Sequence, residues 1–166
     1  MEQLNGIDVG KLRKFVAMVE KDPDLADRDP VVVARWLGAD RAEVTLPSGG
    51  PPVFVGGDQG PSAMKLLLMS LAACDVDLIA NRASLLGIEI ESLTVEASGH
   101  FNVQRYLGVD AEQGPGYQWV AYRVRLRTKG ASLSQIAELR TSCERGSPVG
   151  DTLERHVALT IDVEVA

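Results

Sequence analysis

The 166-residue sequence has few of the residues that build disulfide scaffolds or metal sites. It contains two cysteines, Cys74 and Cys143, and two histidines, His100 and His156, with no CxxC or histidine-rich spacing. Two cysteines are too few for a disulfide scaffold, and a zinc site needs a tighter set of ligands. We therefore expect no metal and no cofactor. The cysteines are interpreted either as buried small hydrophobic residues or as a redox pair.

Long apolar runs and an excess of positive charge are also missing. The most apolar stretch, residues 64–73, contains Lys65 and is followed by Asp75, so it falls short of the roughly 20 uncharged residues of a membrane span. The 17 Lys and Arg residues stand against 23 Asp and Glu residues, and the net charge of −6 argues against electrostatic binding of nucleic acid. Residues 1–14 are polar and do not resemble a signal peptide. We expect a cytoplasmic protein with no membrane or nucleic-acid partner.

What the sequence does have is enough apolar material for a folded core, since 45% of its residues are hydrophobic. Helical spacing of apolar residues predicts an amphipathic helix over residues 8–21. A charged, proline-bounded linker follows at residues 24–30. We therefore expect an N-terminal helical arm and linker over residues 1–30 and a main domain over residues 31–166.

The main domain has the pattern of an α+β fold. A predicted hairpin over residues 31–46 precedes a long apolar helix over residues 61–86. Two long strands then precede a second helix, which begins at Ser132 with Gln135 as its capping-box partner. Alternating apolar residues predict a last strand: Val157, Leu159, Ile161, Val163 and Val165. This order favours a mostly antiparallel sheet wrapped on a long central apolar helix.

Both cysteines are predicted to face inward. Cys74 shares a stripe of the long helix with Leu71 and Leu78, and Cys143 follows Leu139 by four residues. Free cysteines are among the most buried residues, so both can be structural. The alternative is that Cys74 is a nucleophile, which requires a thiolate.

A thiolate in the middle of a helix needs a cation from another element. The candidates are Arg41 and Arg35 on the predicted hairpin, because an arginine keeps its charge when it is buried. The alternative for each of them is a solvent-facing hairpin residue.

Three arginines alternate along the second long strand. Their spacing places them on one face, where they either bind an anion or pair with glutamates of the neighbouring strand. We favour the paired, solvated face. The residues are Arg123, Arg125 and Arg127, with Glu89, Glu91 and Glu96 as partners.

Several motifs together resemble a known family. The run Gly-Pro-Ser-Ala-Met-Lys-Leu-Leu-Leu-Met-Ser-Leu-Ala-Ala-Cys ends at Cys74, and Ser-Pro-Val-Gly-Asp-Thr-Leu begins at Ser147. Trp36 with Gly38, and the segment 106–117, fit the same pattern. The sequence thus resembles the OsmC/Ohr family, the osmotically inducible and organic-hydroperoxide-resistance proteins.

The resemblance implies an intertwined homodimer with the long helix at its centre and active sites at the subunit boundary. Peroxidase members of the family use a cysteine of this helix to attack an organic hydroperoxide. The resulting sulfenic acid forms a disulfide with a second cysteine, which a dithiol then reduces. Cys74 matches the first cysteine. An arginine of the hairpin and a glutamate at the start of the helix hold the thiolate and the peroxide in those members.

The sequence departs from that pattern at two positions. Met64 stands where peroxidase members have the glutamate, and Ser147 stands where they have the second cysteine. Cys143 lies one helical turn earlier and is a candidate displaced second cysteine. The expected function is nevertheless a thiol-dependent antioxidant protein in which Cys74 reduces apolar organic hydroperoxides, with an external dithiol as possible reductant.

Two other functions stay open at this point. One is a non-catalytic dimer of the same fold that binds a small apolar ligand at the subunit interface, with both cysteines structural. The other is an acyl-thioester-binding hot-dog fold, which also wraps a sheet on a long helix. The sequence shows no pantetheine or nucleotide motif in support of the latter.

Overall fold

The computed structural model describes residues 3–58, 60–144 and 146–165. Seven strands, four α-helices and a short 3-10 helix follow one another along this part of the chain. They are β1 (Gln3–Leu4), β2 (Ile7–Asp8), α1 (Val9–Val19), the 3-10 helix (Pro23–Ala26), β3 (Val33–Gly38), β4 (Arg41–Thr45), β5 (Val53–Val55), α2 (Ala63–Leu85), β6 (Ile90–Phe101), β7 (Tyr117–Thr128), α3 (Leu133–Cys143) and α4 (Pro148–Glu154). The strands form the pair β1-β2, the sheet β3-β4-β5 and the pair β6-β7, all antiparallel. The predicted α+β class is confirmed.

The helix starts are set by side chains that cap them. Asp8, Ser62 and Ser132 each accept a hydrogen bond from the backbone N–H three residues later, at the starts of α1, α2 and α3. Such caps satisfy an N–H group that has no partner within the helix. The predicted capping box between Ser132 and Gln135 is present.

The core lies where α2 and α3 pack against the β6-β7 hairpin. Its fully buried members are Ile79, Ala83, Ile88 and Leu139. The buried face of α2 repeats every fourth residue through Leu71, Asp75, Ile79 and Ala83, as one stripe of a helix must. The opposite face remains exposed and includes Met69. Within one chain the long helix is therefore covered on one side.

A tyrosine ties the start of α2 to the long hairpin. The Tyr117 hydroxyl donates a hydrogen bond to the Met64 carbonyl oxygen at 2.7 Å, and burial raises the pKa of that hydroxyl. The ring packs edge-on against Phe101, with 5.2 Å between centroids. Gly99 gives it room, since a Cβ there would lie 2.7 Å from the ring. This contact fixes where the long helix begins.

The exposed face of the β6-β7 hairpin carries ion pairs across the two strands. Arg125 lies 3.0 Å from Glu96, and Arg127 lies 3.8 Å from Glu91. The predicted solvated, paired face is thus confirmed for these two arginines. Each pair is largely exposed, so it stabilises the fold by at most about 1 kcal/mol.

The N-terminus forms a hairpin that the sequence did not predict. Asn5 and Gly6 turn the chain with positive φ angles of 54° and 78°, which Asn and Gly tolerate best. The Asn5 amide donates to the Ser84 hydroxyl at 3.0 Å and to the Ile88 carbonyl oxygen at 2.9 Å, and it accepts from the Ile90 N–H at 2.8 Å. The hairpin is therefore fixed to the end of α2.

The predicted last strand is absent. Residues 156–165 form neither helix nor strand, and their apolar side chains face solvent, with Leu159 85% and Val165 91% exposed. A strand needs a neighbouring strand to satisfy its backbone groups. No strand of the described part of the chain pairs with this segment, so its alternating pattern alone does not make it one.

The β3-β4-β5 sheet also leaves apolar surface uncovered. Trp36 is 74% exposed, and Val33, Val53 and Phe54 are exposed as well. The predicted hairpin is present here, with Trp36 opposite Ala42. Among the helices that the structure describes, none is long and apolar enough to cross a membrane.

Candidate functional site

Cys74 lies in the middle of α2, half-buried, on the side that faces the beginning of α4. The Ser147 hydroxyl donates to the Cys74 Sγ at 3.7 Å. The same Ser147 Oγ accepts a hydrogen bond from the Gly150 N–H at 3.1 Å and so caps α4. Two separate motifs of the sequence thus meet at the sulfur of Cys74.

Ser147 occupies the position at which the sequence resemblance places a second cysteine. It is buried, with 9% of its surface exposed, and its Oγ already points at Cys74. The two side chains touch, but an oxygen cannot form a disulfide. Ser147 therefore contacts Cys74 directly but cannot take part in a disulfide cycle.

Cys143 ends α3 and faces a cavity of about 550 Å³ on the Asp75 side of α2. Its inward orientation agrees with the sequence prediction, since it packs against the hydrophobic core. Burial is the main cause that raises the pKa of the Cys143 thiol, and nearby Asp75 adds to the rise; Ser142 and Arg82 act in the opposite direction. The thiol therefore has less thiolate at neutral pH than an ordinary cysteine.

The two candidate arginines bind partners within their own sheet. Arg35 forms an ion pair with Glu43, its cross-strand neighbour, at 2.8 Å. The Arg41 guanidinium donates to the Leu37 carbonyl oxygen at 3.4 Å, and its aliphatic stem packs over Gly57. Among the described residues, neither is hydrogen-bonded to Cys74. No ion pair within the described part of the chain involves Arg41, which makes it the better candidate for holding an anion.

Met64 lies in the first turn of α2, where the resemblance places a glutamate. Its thioether cannot orient an arginine as a carboxylate does. Over residues 3–58, 60–144 and 146–165, no group of three or more His, Cys, Asp and Glu residues is arranged to hold a metal ion.

Sequence reasoning missed Asp75 as a site residue. Its side chain is 3% exposed, and neither carboxylate oxygen has a hydrogen-bond partner within the described structure. A buried polar group without a partner is costly and rare. The signal was available in the sequence, because Asp75 lies four residues from both Leu71 and Ile79 on the buried stripe of α2.

Comparison with known families identifies the fold to which these features belong. The family model described as OsmC-like protein matches residues 56–162, which includes α2, the long hairpin and both cysteines. The chain belongs to the OsmC-like family. The predicted resemblance is confirmed, and the hot-dog alternative is excluded as the family of this chain.

Solved structures share the OsmC-like fold. An OsmC-like protein from Mycoplasma pneumoniae is 17% identical and superposes with a TM-score of 0.63 over 77% of this chain and 89% of that one. No curated protein sequence matches the chain.

Two further neighbours have names that refer to hydroperoxides. One is an OsmC-like hydroperoxide resistance protein from Jannaschia, 18% identical, with a TM-score of 0.51 over 83% of this chain and 95% of that one. The other is an organic hydroperoxide resistance protein OsmC from Legionella pneumophila, 16% identical, with a TM-score of 0.53 over 77% of this chain and 90% of that one. At these identities the likeness establishes the fold.

The raised pKa of Cys143 gives a prediction for its reactivity. In the Cys74→Ser variant, the rate of Cys143 alkylation by iodoacetamide should increase with pH. The midpoint of this increase should lie at a higher pH than for an exposed thiol, because a raised pKa lowers the thiolate fraction. The control is an exposed cysteine introduced by Ser92→Cys in a chain without Cys74 and Cys143. The prediction is contradicted if the alkylation rate of Cys143 increases at the same pH as that of the control cysteine, or at a lower pH.

Proposed function

We propose that this OsmC-like protein is a thiol peroxidase that reduces apolar organic hydroperoxides through Cys74. The observation that carries the proposal is the half-buried Cys74 sulfur with a hydroxyl donor, Ser147, at 3.7 Å. Family membership and two structural neighbours named for hydroperoxide resistance support it. The leucine-rich run of α2 that precedes Cys74 favours a peroxide with an apolar body.

The first step is a two-electron transfer from sulfur to the peroxide. The Cys74 thiolate attacks one peroxide oxygen, the O–O bond breaks, and the other oxygen leaves with a proton as an alcohol. Cys74 is then a sulfenic acid. The Ser147 hydroxyl, as a donor to Sγ, would hold the thiolate in place before attack.

The second step returns Cys74 to the thiol. A thiolate attacks the sulfenic sulfur, water leaves, and a second thiol breaks the resulting disulfide. Cys143 is the candidate internal thiol and an external dithiol is the alternative. The position of Cys143 on the Asp75 cavity, and the contact of Ser147 with Cys74, support the external dithiol. Over one cycle the dithiol becomes a disulfide and the hydroperoxide becomes an alcohol and water.

We also propose that the active form is an intertwined homodimer. Apolar side chains are exposed on three surfaces of the described chain: the sheet around Trp36, the face of α2 around Met69, and the alternating segment 157–165. A second copy would cover them, and the alternating segment fits addition to a sheet edge of the partner. The same arrangement would bring Arg41 or Arg35 of one copy to Cys74 of the other.

We also propose the domain bounds and the compartment of the protein. We place the arm and linker at residues 1–30 and the OsmC-like domain at residues 31–166. We place the protein in the cytoplasm, because a cycle driven by dithiols needs a reducing compartment.

The test is the intact mass of the reduced protein after limiting cumene hydroperoxide, with Cys74→Ser and Cys143→Ser measured beside it. We expect one added oxygen in wild type and Cys143→Ser and none in Cys74→Ser, with peroxide consumption following the same pattern. Loss of two hydrogens that requires both cysteines would support the peroxidase with Cys143 as the second thiol. An unchanged wild-type mass with unreacted peroxide would overturn the proposal.

A second candidate function is a non-catalytic dimer that binds a small apolar ligand at the subunit interface. It is favoured by Met64 and Ser147, which stand where peroxidase members carry reactive groups. It predicts a Cys74 that reacts with neither hydroperoxide nor iodoacetamide in the folded protein. The mass measurement therefore separates the two candidates.

A further inference from the structure

A second site is suggested by a cavity that the peroxidase mechanism does not use. Its volume is about 550 Å³, within the usual range for small-molecule sites. The wall comes from three elements: α2, β7 and α3. Most of it is aliphatic, with Ile79, Val124, Ile136 and Leu139 among the lining residues.

Three charged residues line this wall, and one of them, Asp75, is buried. Asp75 lines the cavity, is 3% exposed, and has both carboxylate oxygens without a hydrogen-bond donor within the described structure. The arginine that lines the same cavity, Arg140, is largely exposed and pairs with Glu144 at 3.3 Å. Glu144 lines the cavity too but is neutralised by Arg140, so Asp75 is the lining carboxylate that has no donor within the described structure.

We infer that this cavity binds a small amphipathic amine, with its ammonium group on Asp75 and its apolar body against α3 and β7. A buried carboxylate is stabilised most by a cation that donates hydrogen bonds to it. The aliphatic wall selects an apolar body. A neutral donor would supply the hydrogen bond without the charge, and an anion would supply neither. Binding at this site needs no reaction at Cys74, so the inference does not depend on the peroxidase proposal.

Cys143 provides a built-in reporter for this site. It lines the same cavity, so a bound ligand should shield it from alkylation, while Cys74 lies at the separate contact with Ser147. Protection of Cys143 alone would therefore locate a ligand in this cavity.

The experiment compares 4-phenylbutylamine with 4-phenylbutan-1-ol, which has nearly the same shape but no charge. Titration calorimetry on wild type should show the amine binding about tenfold or more tightly than the alcohol. Asp75→Asn should lose that preference. Asp77→Asn is the matched control, because Asp77 is exposed on the same helix, and should keep it. The amine should also slow alkylation of Cys143 in Cys74→Ser.

Other outcomes would overturn the inference. Equal binding of amine and alcohol to wild type, or a preference that survives in Asp75→Asn, would mean that Asp75 does not recognise the ligand. Absence of amine binding would mean that water or a second copy of the chain satisfies the carboxylate. Circular dichroism and thermal unfolding of each variant establish that a lost preference is not lost folding.

Discussion

The Ser147→Cys variant is expected to form an intramolecular disulfide with Cys74 when limiting organic hydroperoxide is added. The Ser147 Oγ lies 3.7 Å from the Cys74 Sγ, and a sulfur at that position needs a small shift to reach the roughly 2.05 Å of a disulfide bond. Once Cys74 is a sulfenic acid, the neighbouring thiol attacks it without a diffusion step. Dithiol-supported turnover should rise by about tenfold or more, because the resolving step becomes intramolecular.

The measurement is intact mass and peroxide turnover in a Cys143→Ser background, so that one disulfide is possible. Ser92→Cys serves as the control, because Ser92 lies exposed on β6. It should show added oxygen at Cys74 and no disulfide. If Ser147→Cys also shows oxygen addition without loss of two hydrogens, residues 74 and 147 do not stay in contact in the reacting protein.

The sequence predicted the local elements well where their determinants are local. The predicted capping box at Ser132 marks the start of α3, and the predicted long helix begins two residues later than expected, at Ala63 after its cap Ser62. The cross-strand pairing of Arg125 with Glu96 also followed from strand periodicity. These features depend on neighbours in the chain or on one adjacent strand.

The sequence could not predict features that depend on distant contacts. The segment 157–165 has the alternation of a strand, but a strand exists only where another strand pairs with it, and none does so within the described residues. The N-terminal hairpin depends on the bonds of Asn5 to Ser84 and Ile90, which are far away in sequence. The secondary-structure propensity of a segment does not show which distant residues it will contact.

In the candidate site, too, local spacing predicted some features and tertiary packing decided others. Spacing placed Cys74 and Cys143 on inward-facing stripes, and both are partly buried. The contacts between residues of different elements could not be predicted from spacing. The contact of Ser147 with Cys74 depends on how α4 packs on α2, whereas the spacing of Asp75 from Leu71 and Ile79 could have placed it on the buried stripe.

The Asp75→Leu variant is expected to stabilise the ligand-free protein. Replacement removes a buried carboxylate that has no hydrogen-bond donor, and it adds apolar volume next to a cavity of about 550 Å³ that can receive it. Removal of an unsatisfied buried polar group should raise the free energy of unfolding by about 2 kcal/mol. The check is urea unfolding followed by circular dichroism, with midpoint and slope both reported.

Asp77→Leu is the matched control, because it makes the same change on the exposed side of α2. Its effect should stay within about 0.5 kcal/mol. A destabilised Asp75→Leu variant would mean that the carboxylate has a partner in solution, such as water or a second copy. A stabilised variant that has also lost amine binding would mean that Asp75 serves a ligand at a cost to folding. That combination is typical of functional groups, since stability and function place opposite demands on a buried charge.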